Sequence, residues 1–424
     1  MALDFVNRER ELDELDRAAR RGGLLVVFGR RRVGKTRLLR RWLEGRGGLY
    51  SQAIEGPPEL QVEQTFRDLR AALGSEIVPR TWAELLEILA LRKRRWILCL
   101  DEFPYLAAGD PSLPSRLQAW LDHRMPPGCL LILSGSSTRM MHGLFLDRGA
   151  PLFGRASKLV QVPPMDYAAF CGACGLDRRD PASFERFACV GGIPKYWEFV
   201  EPGRDAVALA GSLYFDFAPY MEQEPQRILK DEGVSGLNAL AVLEAVGRGA
   251  ERPSEIAARL GTAQTNLSRL LQNLLDASLL VRDLPYGESP RTTKRVLYRI
   301  QDPSIRFWFR VYSPHRSRWS SHPLPERRKL VHDHASTVFE DHCRSRFPGA
   351  GRYWEAGLEL DLVAPDPEAK AGLLVAELAW TRLSRGEREG LREEMKAKWA
   401  RSALARRHPK VRFEVLDSGF LSRG

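Results

Sequence analysis

One run of eight residues limits what this chain can fold into more than any other. Gly29-Arg-Arg-Arg-Val-Gly34-Lys35-Thr36 fits the pattern G-x-x-x-x-G-K-[ST]. The apolar stretch 24–28 precedes it, and a segment with Leu38, Leu39 and Trp42 at helical spacing follows. A buried parallel strand, a glycine-bearing turn and a helix in that order aim unpaired N–H groups and the positive helix end at one point, where a phosphate can sit. On this reading Gly29, Arg30, Arg31, Arg32, Val33, Gly34, Lys35, Thr36 and Arg37 form the phosphate-contacting set. Lys35 reaches the β- and γ-phosphates, and Thr36 offers its hydroxyl to Mg²⁺. The charged run Arg30–Arg32 faces phosphates, nucleic acid or solvent.

Two further apolar runs, 96–100 and 130–133, alternate with helical patterns at 10–20 and 82–92. That alternation predicts an α/β domain on a parallel sheet. Asp101-Glu102 directly follows the run 96–100, so both fall at the carboxyl end of a strand, where ligands bind in open α/β sheets. Asp101 is placed to hold Mg²⁺, directly or through water, and Glu102 to polarise an attacking water. The run 130–133 leads into Ser134-Gly-Ser136, which brings the Ser136 hydroxyl to the same end.

The chain has 424 residues, enough for about two to four domains at ~150 residues each. With 44% hydrophobic and 28% charged residues it is neither disordered nor collagen-like. No run approaches the ~18 apolar residues of a membrane span, and residues 1–9 lack an apolar signal region, so the expectation is a cytoplasmic protein without a membrane partner. Two of the six cysteines lie in apolar runs, as small hydrophobes do. Cys171-Gly-Ala-Cys174 has no second pair to complete a zinc site and reads as a loop between helices. The net charge is +11, of which residues 291–330 supply +9, so a nucleic-acid surface is expected there first.

The motifs above, with Leu100-Asp-Glu-Phe-Pro-Tyr105, Leu133-Ser-Gly-Ser-Ser137, Leu152-Phe-Gly-Arg155 and Gly191-Gly-Ile-Pro194, occur in an order that resembles the archaeal-type ATPases. These are AAA-related P-loop proteins of the STAND class. Asn7-Arg-Glu-Arg-Glu-Leu12 resembles their N-terminal motif near the nucleotide. The resemblance implies ATP rather than GTP, a lid containing 191–194 that senses nucleotide state, and Arg155 responding to the γ-phosphate. The catalytic set is then Lys35, Glu102, Ser136 and Arg155. The units are a P-loop core (1–165), a helical lid or linker (166–234), a winged helix (235–312) and a C-terminal α/β unit (330–424), with 316–325 as a linker.

The pattern across 237–300 reads as a winged helix. A short helix 253–260, a turn at Gly261 and a helix 262–277 carry a buried leucine stripe. Gln264, Thr265, Ser268, Arg269 and Gln272 line the other side, as groups that pair with base edges do. Arg291, Lys294 and Arg295 lie on the wing and suit phosphates. The aromatics Phe307, Trp308 and Phe309 read as core rather than base-stacking groups.

The resemblance also implies a C-terminal region similar to PD-(D/E)xK nucleases (DUF234), in which Glu340, Asp361 and Glu377 hold a divalent metal. The lysine expected two residues after Glu377 is Ala379, with Lys396 or Lys398 as substitutes from the following helix. That departure favours a nuclease-like fold kept as a binding module. The expectation is therefore an ATP- and Mg²⁺-dependent switch that reports to DNA or a protein partner, as a monomer or a homo-oligomer. The alternatives are an ATP-gated metal-dependent nuclease, a DNA-binding regulator with little turnover, and a signalling scaffold.

Overall fold

A computed structural model describes residues 4–74, 76–92, 94–234, 236–291, 293–369 and 371–423. Its first layer is a five-stranded parallel sheet: β1 (Gly23–Phe28), β2 (Leu49–Gln52), β3 (Ile97–Asp101), β4 (Leu130–Gly135) and β5 (Ala156–Gln161), in the order β2-β3-β4-β1-β5. Because strand side chains alternate, β1 feeds two cores at once. Leu25 and Val27 pack with the P-loop helix Lys35–Leu43 and with the helices between residues 167 and 231. Leu24, Val26 and Phe28 pack with the helices Pro58–Leu73, Trp82–Ala90 and Leu113–His123 on the other face. With both faces covered, β1, β3 and β4 read as continuous apolar runs, and their carboxyl ends deliver 29–36, Asp101-Glu102 and Ser134-Gly-Ser136 to one rim. The edge strands β2 and β5 lack such a run; β5 is Ala-Ser-Lys-Leu-Val-Gln, largely exposed.

Between the sheet and the next unit lie short helices: Tyr167–Cys174, Pro181–Val190, Pro194–Trp197, Ala206–Ala210 and Glu224–Asp231. Cys171 and Cys174 are inside the first of these, not in a loop, because Asp166 caps the helix start and Gly175 ends it in the left-handed region.

Three helices follow, Leu237–Gly247, Pro253–Leu260 and Gln264–Asp276, with antiparallel β6 (Leu280–Asp283) and β7 (Leu297–Ile300). Leu267, Leu271 and Leu274 form the buried stripe of the third helix. The wing is docked at two points on the C-terminal unit, although its tip is exposed. Its Tyr286 N–H donates to the Arg352 carbonyl at 2.7 Å, and Arg295 donates to the Trp354 carbonyl at 3.0 Å. Phe307 and Phe309 are fully buried, and Trp308 is buried beside them. Segment 316–325 is not a free linker: Trp319 is buried and stacks on Phe215 with ring centroids 4.0 Å apart, and the helix Leu324–Ser345 begins within it.

The C-terminal sheet contains β8 (Gly351–Glu355), β9 (Leu358–Pro365), β10 (Leu373–Leu378) and β11 (Val411–Leu416), ordered β11-β10-β9-β8. Only the β10–β11 pair is parallel, and the helix Arg385–Arg401 connects those two strands.

Candidate functional site

At the rim of the parallel sheet the P-loop lysine is buried and held on three oxygens. Lys35 Nζ donates to the carbonyls of Gly29 (2.8 Å) and Arg30 (3.2 Å) and to Ser136 Oγ (2.9 Å). Burial pushes its ammonium pKa down, while the charges of Glu102 and Asp101 oppose that. Thr36 Oγ1 donates to Asp101 Oδ2 at 2.7 Å, and Tyr50 Oη donates to the same oxygen at 2.9 Å. The Glu102 N–H donates to Asp101 Oδ1 at 3.0 Å. A hydroxyl and a carboxylate in contact form a hard-oxygen donor set of the kind Mg²⁺ takes. Glu102 stands in the left-handed region at φ 58°, a cost of order 1 kcal/mol for a residue with a Cβ. Its carboxylate accepts from the Ser136 N–H at 3.1 Å and from the Ser136 hydroxyl. Ser136 therefore ties lysine to glutamate.

Lys35, Thr36, Glu102 and Ser136 line an open cleft of about 920 Å³ together with Phe5, Tyr105, Met140 and Pro194, with Asp101 fully buried behind Thr36. A small cavity of about 40 Å³ beside it is lined by the apolar Phe5, Val6, Met165, Ala173 and Trp197 and by the charged Asp4, Arg8 and Arg37. The N-terminal motif is fixed to the loop: buried Arg8 donates to the Val33 carbonyl at 3.0 Å and to Glu11 at 2.9 Å.

The arginine side chains of the loop pair with acids distant in sequence. Arg30 is buried against Asp302 at 2.7 Å. Arg31 meets Asp231 at 2.8 Å, and Arg32 pairs with Glu224, which also accepts from Tyr196 Oη at 2.7 Å. Arg31 and Arg32 still border the cleft, but the Arg30 side chain does not. Val33 is buried core, and Arg37 lines the cleft mouth 5.9 Å from the Phe5 ring centre. Arg155 lies outside the cleft, clasped by Asp122 at 2.9 Å and the Pro151 carbonyl at 3.0 Å. The Gly191-Gly-Ile-Pro194 segment touches the segment after the wing: a Cβ on Gly191 would meet Pro303 Cδ at 3.2 Å and Asp302 Oδ1 at 3.5 Å.

Gln264, Thr265, Ser268, Arg269 and Gln272 are all exposed on the helix Gln264–Asp276, where Gln272 donates to Asp276 at 2.8 Å. Arg291 and Lys294 are also exposed, whereas Arg295 is engaged with Glu288 and the Trp354 carbonyl. Much of the basic segment is spent internally. Arg299 pairs with Asp283 (2.7 Å) and Asp341 (2.9 Å), and Arg306 with Asp341 (2.7 Å). Those cations hold Asp341 well below the usual carboxylate range.

Comparison with known proteins follows the same division. Residues 5–196 match the family described as an ATPase domain predominantly from Archaea, and residues 237–284 match the IclR helix-turn-helix domain. The chain carries an archaeal-type P-loop ATPase domain and a helix-turn-helix domain. An uncharacterized protein of Methanocaldococcus jannaschii is 26% identical over 410 residues, 89% of this chain and 87% of that one. An uncharacterized ATP-binding protein of the same organism is 46% identical over 44 residues, 10% of this chain and 75% of that one. Among solved structures, a Walker-type ATPase of Pyrococcus abyssi aligns with a TM-score of 0.54 and 21% identity, covering 73% of this chain and 97% of that one; this shows a shared fold.

Beyond the ATPase and helix-turn-helix domains, Glu340, Asp361 and Glu377 approach one another, each pushed up by burial and two of them further by the Asp361 charge. They do not assemble an open metal site. Lys398 donates to Glu377 at 3.2 Å, Arg344 meets Glu340 at 3.4 Å, and Asp361 Oδ2 accepts the Leu378 N–H at 3.0 Å. Among the described residues no group of three or more His, Cys, Asp or Glu is arranged to hold a metal. Lys398, not Lys396, reaches the cluster; Lys396 pairs with Glu393. Sequence reasoning missed Tyr50, because β2 is only four residues long, and missed Asp302, Asp231 and Glu224, because nothing local marks an acid as a partner of the P-loop.

Proposed function

We propose that the chain is a Mg²⁺-dependent ATP-hydrolysing switch of the STAND type whose nucleotide state controls DNA binding by the helix-turn-helix domain. The observation that carries this reading is the set Lys35–Ser136–Glu102 beside Thr36–Asp101 on one rim. Thr36 and Asp101 would hold Mg²⁺, which neutralises charge on the β- and γ-phosphates. Lys35 exchanges Ser136 for the phosphates, and Glu102 turns from Ser136 to a water. That water attacks the γ-phosphorus, the bond to ADP breaks, and Glu102 accepts the water's proton. Gly29, Gly34 and the loop N–H groups cradle the anion.

The exposed face of Gln264, Thr265, Ser268, Arg269 and Gln272 supplies polar groups for base edges, and Arg291 and Lys294 supply phosphate contacts. A cytoplasmic protein that meets DNA, alone or as a homo-oligomer, fits these features. Phosphate release by the full chain, compared with Lys35→Ala, tests the first half; equal rates would sink it. DNA affinity measured across salt with MgATP and with MgADP tests the second, and a salt-independent affinity would count against it.

One observation favours a second reading. Lys398 brings to Glu377 the ammonium that Ala379 lacks, which is what an ATP-gated nuclease of the PD-(D/E)xK type would need. Plasmid incubated with Mn²⁺ and the full chain decides: strand breaks abolished by Asp361→Ala would establish it.

A further inference from the structure

The helix Glu224–Asp231 and the residue after it carry three acids, and all three engage the nucleotide cleft or its wall. Glu224 pairs with Arg32. Both oxygens of Asp231 accept from Arg31 Nη1, at 3.0 and 2.8 Å. Glu232 is 2% exposed and closes the start of the helix Thr138–Phe145. It accepts from the Thr138 N–H (3.2 Å), the Arg139 N–H (3.1 Å) and Ser137 Oγ (3.2 Å). The Arg139 guanidinium then donates to the Gly233 carbonyl at 3.1 Å. A helix start flanked by a serine is an anion site, and here the anion is the protein's own carboxylate. It sits one residue beyond Ser136, close enough for its charge to act on Lys35. Burial also pushes the Glu232 carboxyl up, so its charge is held there at a desolvation cost.

Resting on the reading of this cleft as the ATP site, we propose that residues 224–232 form an acidic strap that competes with nucleotide phosphates. The contested groups are Arg31 and the helix start at 137–139. Asp231 borders the cleft beside Arg31 and Lys35, so a triphosphate entering there brings several negative charges against it. Arg31 is the exchangeable cation: its side chain is 52% exposed, so it can swing from carboxylate to phosphate. Arg30 is the fixed one, because its pair with Asp302 is almost fully buried and breaking it would strand two charges. The strap helix packs on the first helix of the helix-turn-helix domain, Leu237–Gly247, and Asp302 lies just beyond β7. Strap release therefore loosens one side of that domain while Arg30 keeps hold of the other.

The test uses the full chain and a fluorescent mant-ATP with Mg²⁺. The double variant Asp231→Asn, Glu232→Gln is expected to bind about 10-fold tighter than the unaltered protein, within the ~5–150-fold range of coupled sites. Unchanged or weaker binding by a double variant that melts like the unaltered protein would overturn the strap. A second measurement needs no substitution: backbone hydrogen exchange across 224–234 should rise when MgATP is added, and unaltered exchange would overturn the proposal. Failure of the unaltered protein to bind mant-ATP at all would instead overturn the ATP reading of the cleft.

Discussion

The two ends of the molecule each gather carboxylates around a lysine, and they do so in opposite ways. In the ATPase cleft neutral hydroxyls stand between the charges: Thr36 and Tyr50 on Asp101, and Ser136 between Glu102 and Lys35. Among the described residues neither Asp101 nor Glu102 makes an ion pair. In the C-terminal unit the charges meet directly, Lys398 on Glu377 and Arg344 on Glu340. A hydroxyl can turn its lone pairs or its proton to an incoming metal or phosphate at little cost. A direct ion pair, even one only partly buried as these are, must first be broken, and each partner then needs a new counter-charge or water. Neutral spacers keep binding capacity in reserve, whereas direct pairing uses it up.

The largest expected effect falls on the cleft. Lys35→Ala should cut ATP hydrolysis by roughly 10²–10³-fold, the loss typical of one charge-stabilising donor, read by phosphate release. Glu102→Gln should lower turnover by about 10²-fold as a lost general base while leaving the Kd for mant-ATP near its original value; a matching loss of affinity would place Glu102 among the binding groups instead.

A third measurement concerns the seam joining the two regions. Fully buried His334 on the helix Leu324–Ser345 donates to the Ala188 carbonyl at 2.9 Å, and burial depresses its pKa from 6.5 to about 3. The unfolded chain takes up this proton near pH 6.5 and the folded chain does not, so stability present above pH 6.5 is lost as the pH falls toward 3. The slope is about 1.4 kcal/mol per pH unit. Between pH 7 and pH 5 the unaltered protein should lose about 2 kcal/mol more than His334→Leu in urea denaturation, provided both unfold in one step.

The smallest effect should come from Asp361→Asn. Burial raises the Asp361 pKa, so its ionised form destabilises the fold, and this penalty grows as the pH rises through the folded value. The amide should therefore raise stability slightly at pH 8, by under ~1 kcal/mol, and make no difference below the ordinary carboxylate range. ATP turnover should not change. Metal-dependent DNA cleavage that disappears with this substitution would break the comparison outright.

What the sequence disclosed was whatever is encoded within one strand, turn and helix. The run 24–28, the glycines of the P-loop and the acids after β3 are local, and their common rim follows from parallel-sheet topology. Leu267, Leu271 and Leu274 at helical spacing marked the third helix of the helix-turn-helix domain in the same way. Contacts closed by the rest of the chain were not legible. Arg30, Arg31 and Arg32 look alike in sequence, yet their partners lie around 224–231 and at 302. Arg155 sits beside a sheet edge, where Asp122 from another helix captures it. The wing cations suggested a free basic hairpin because nothing in 284–296 reveals that Trp354 and Arg352 receive it. Segment 316–325 has the composition of a linker, but a single indole stacked on Phe215 anchors it.

The Arg30–Asp302 pair has a consequence for how the protein is made. A chain emerging from the ribosome completes its P-loop strand, turn and helix early, but Arg30 lacks its ion-pair partner until residue 302 has been synthesised. Asp302 also caps the helix Pro303–Phe307, accepting the Ile305 N–H at 3.0 Å, so the same carboxylate finishes two distant structures at one moment. A fragment cut after residue 196, where the ATPase match ends, would carry Arg30, Arg31 and Arg32 side by side with all three partners missing. Such a fragment should be a poor surrogate for the ATPase in the intact protein, since its most charged loop is completed by residues that the fragment lacks.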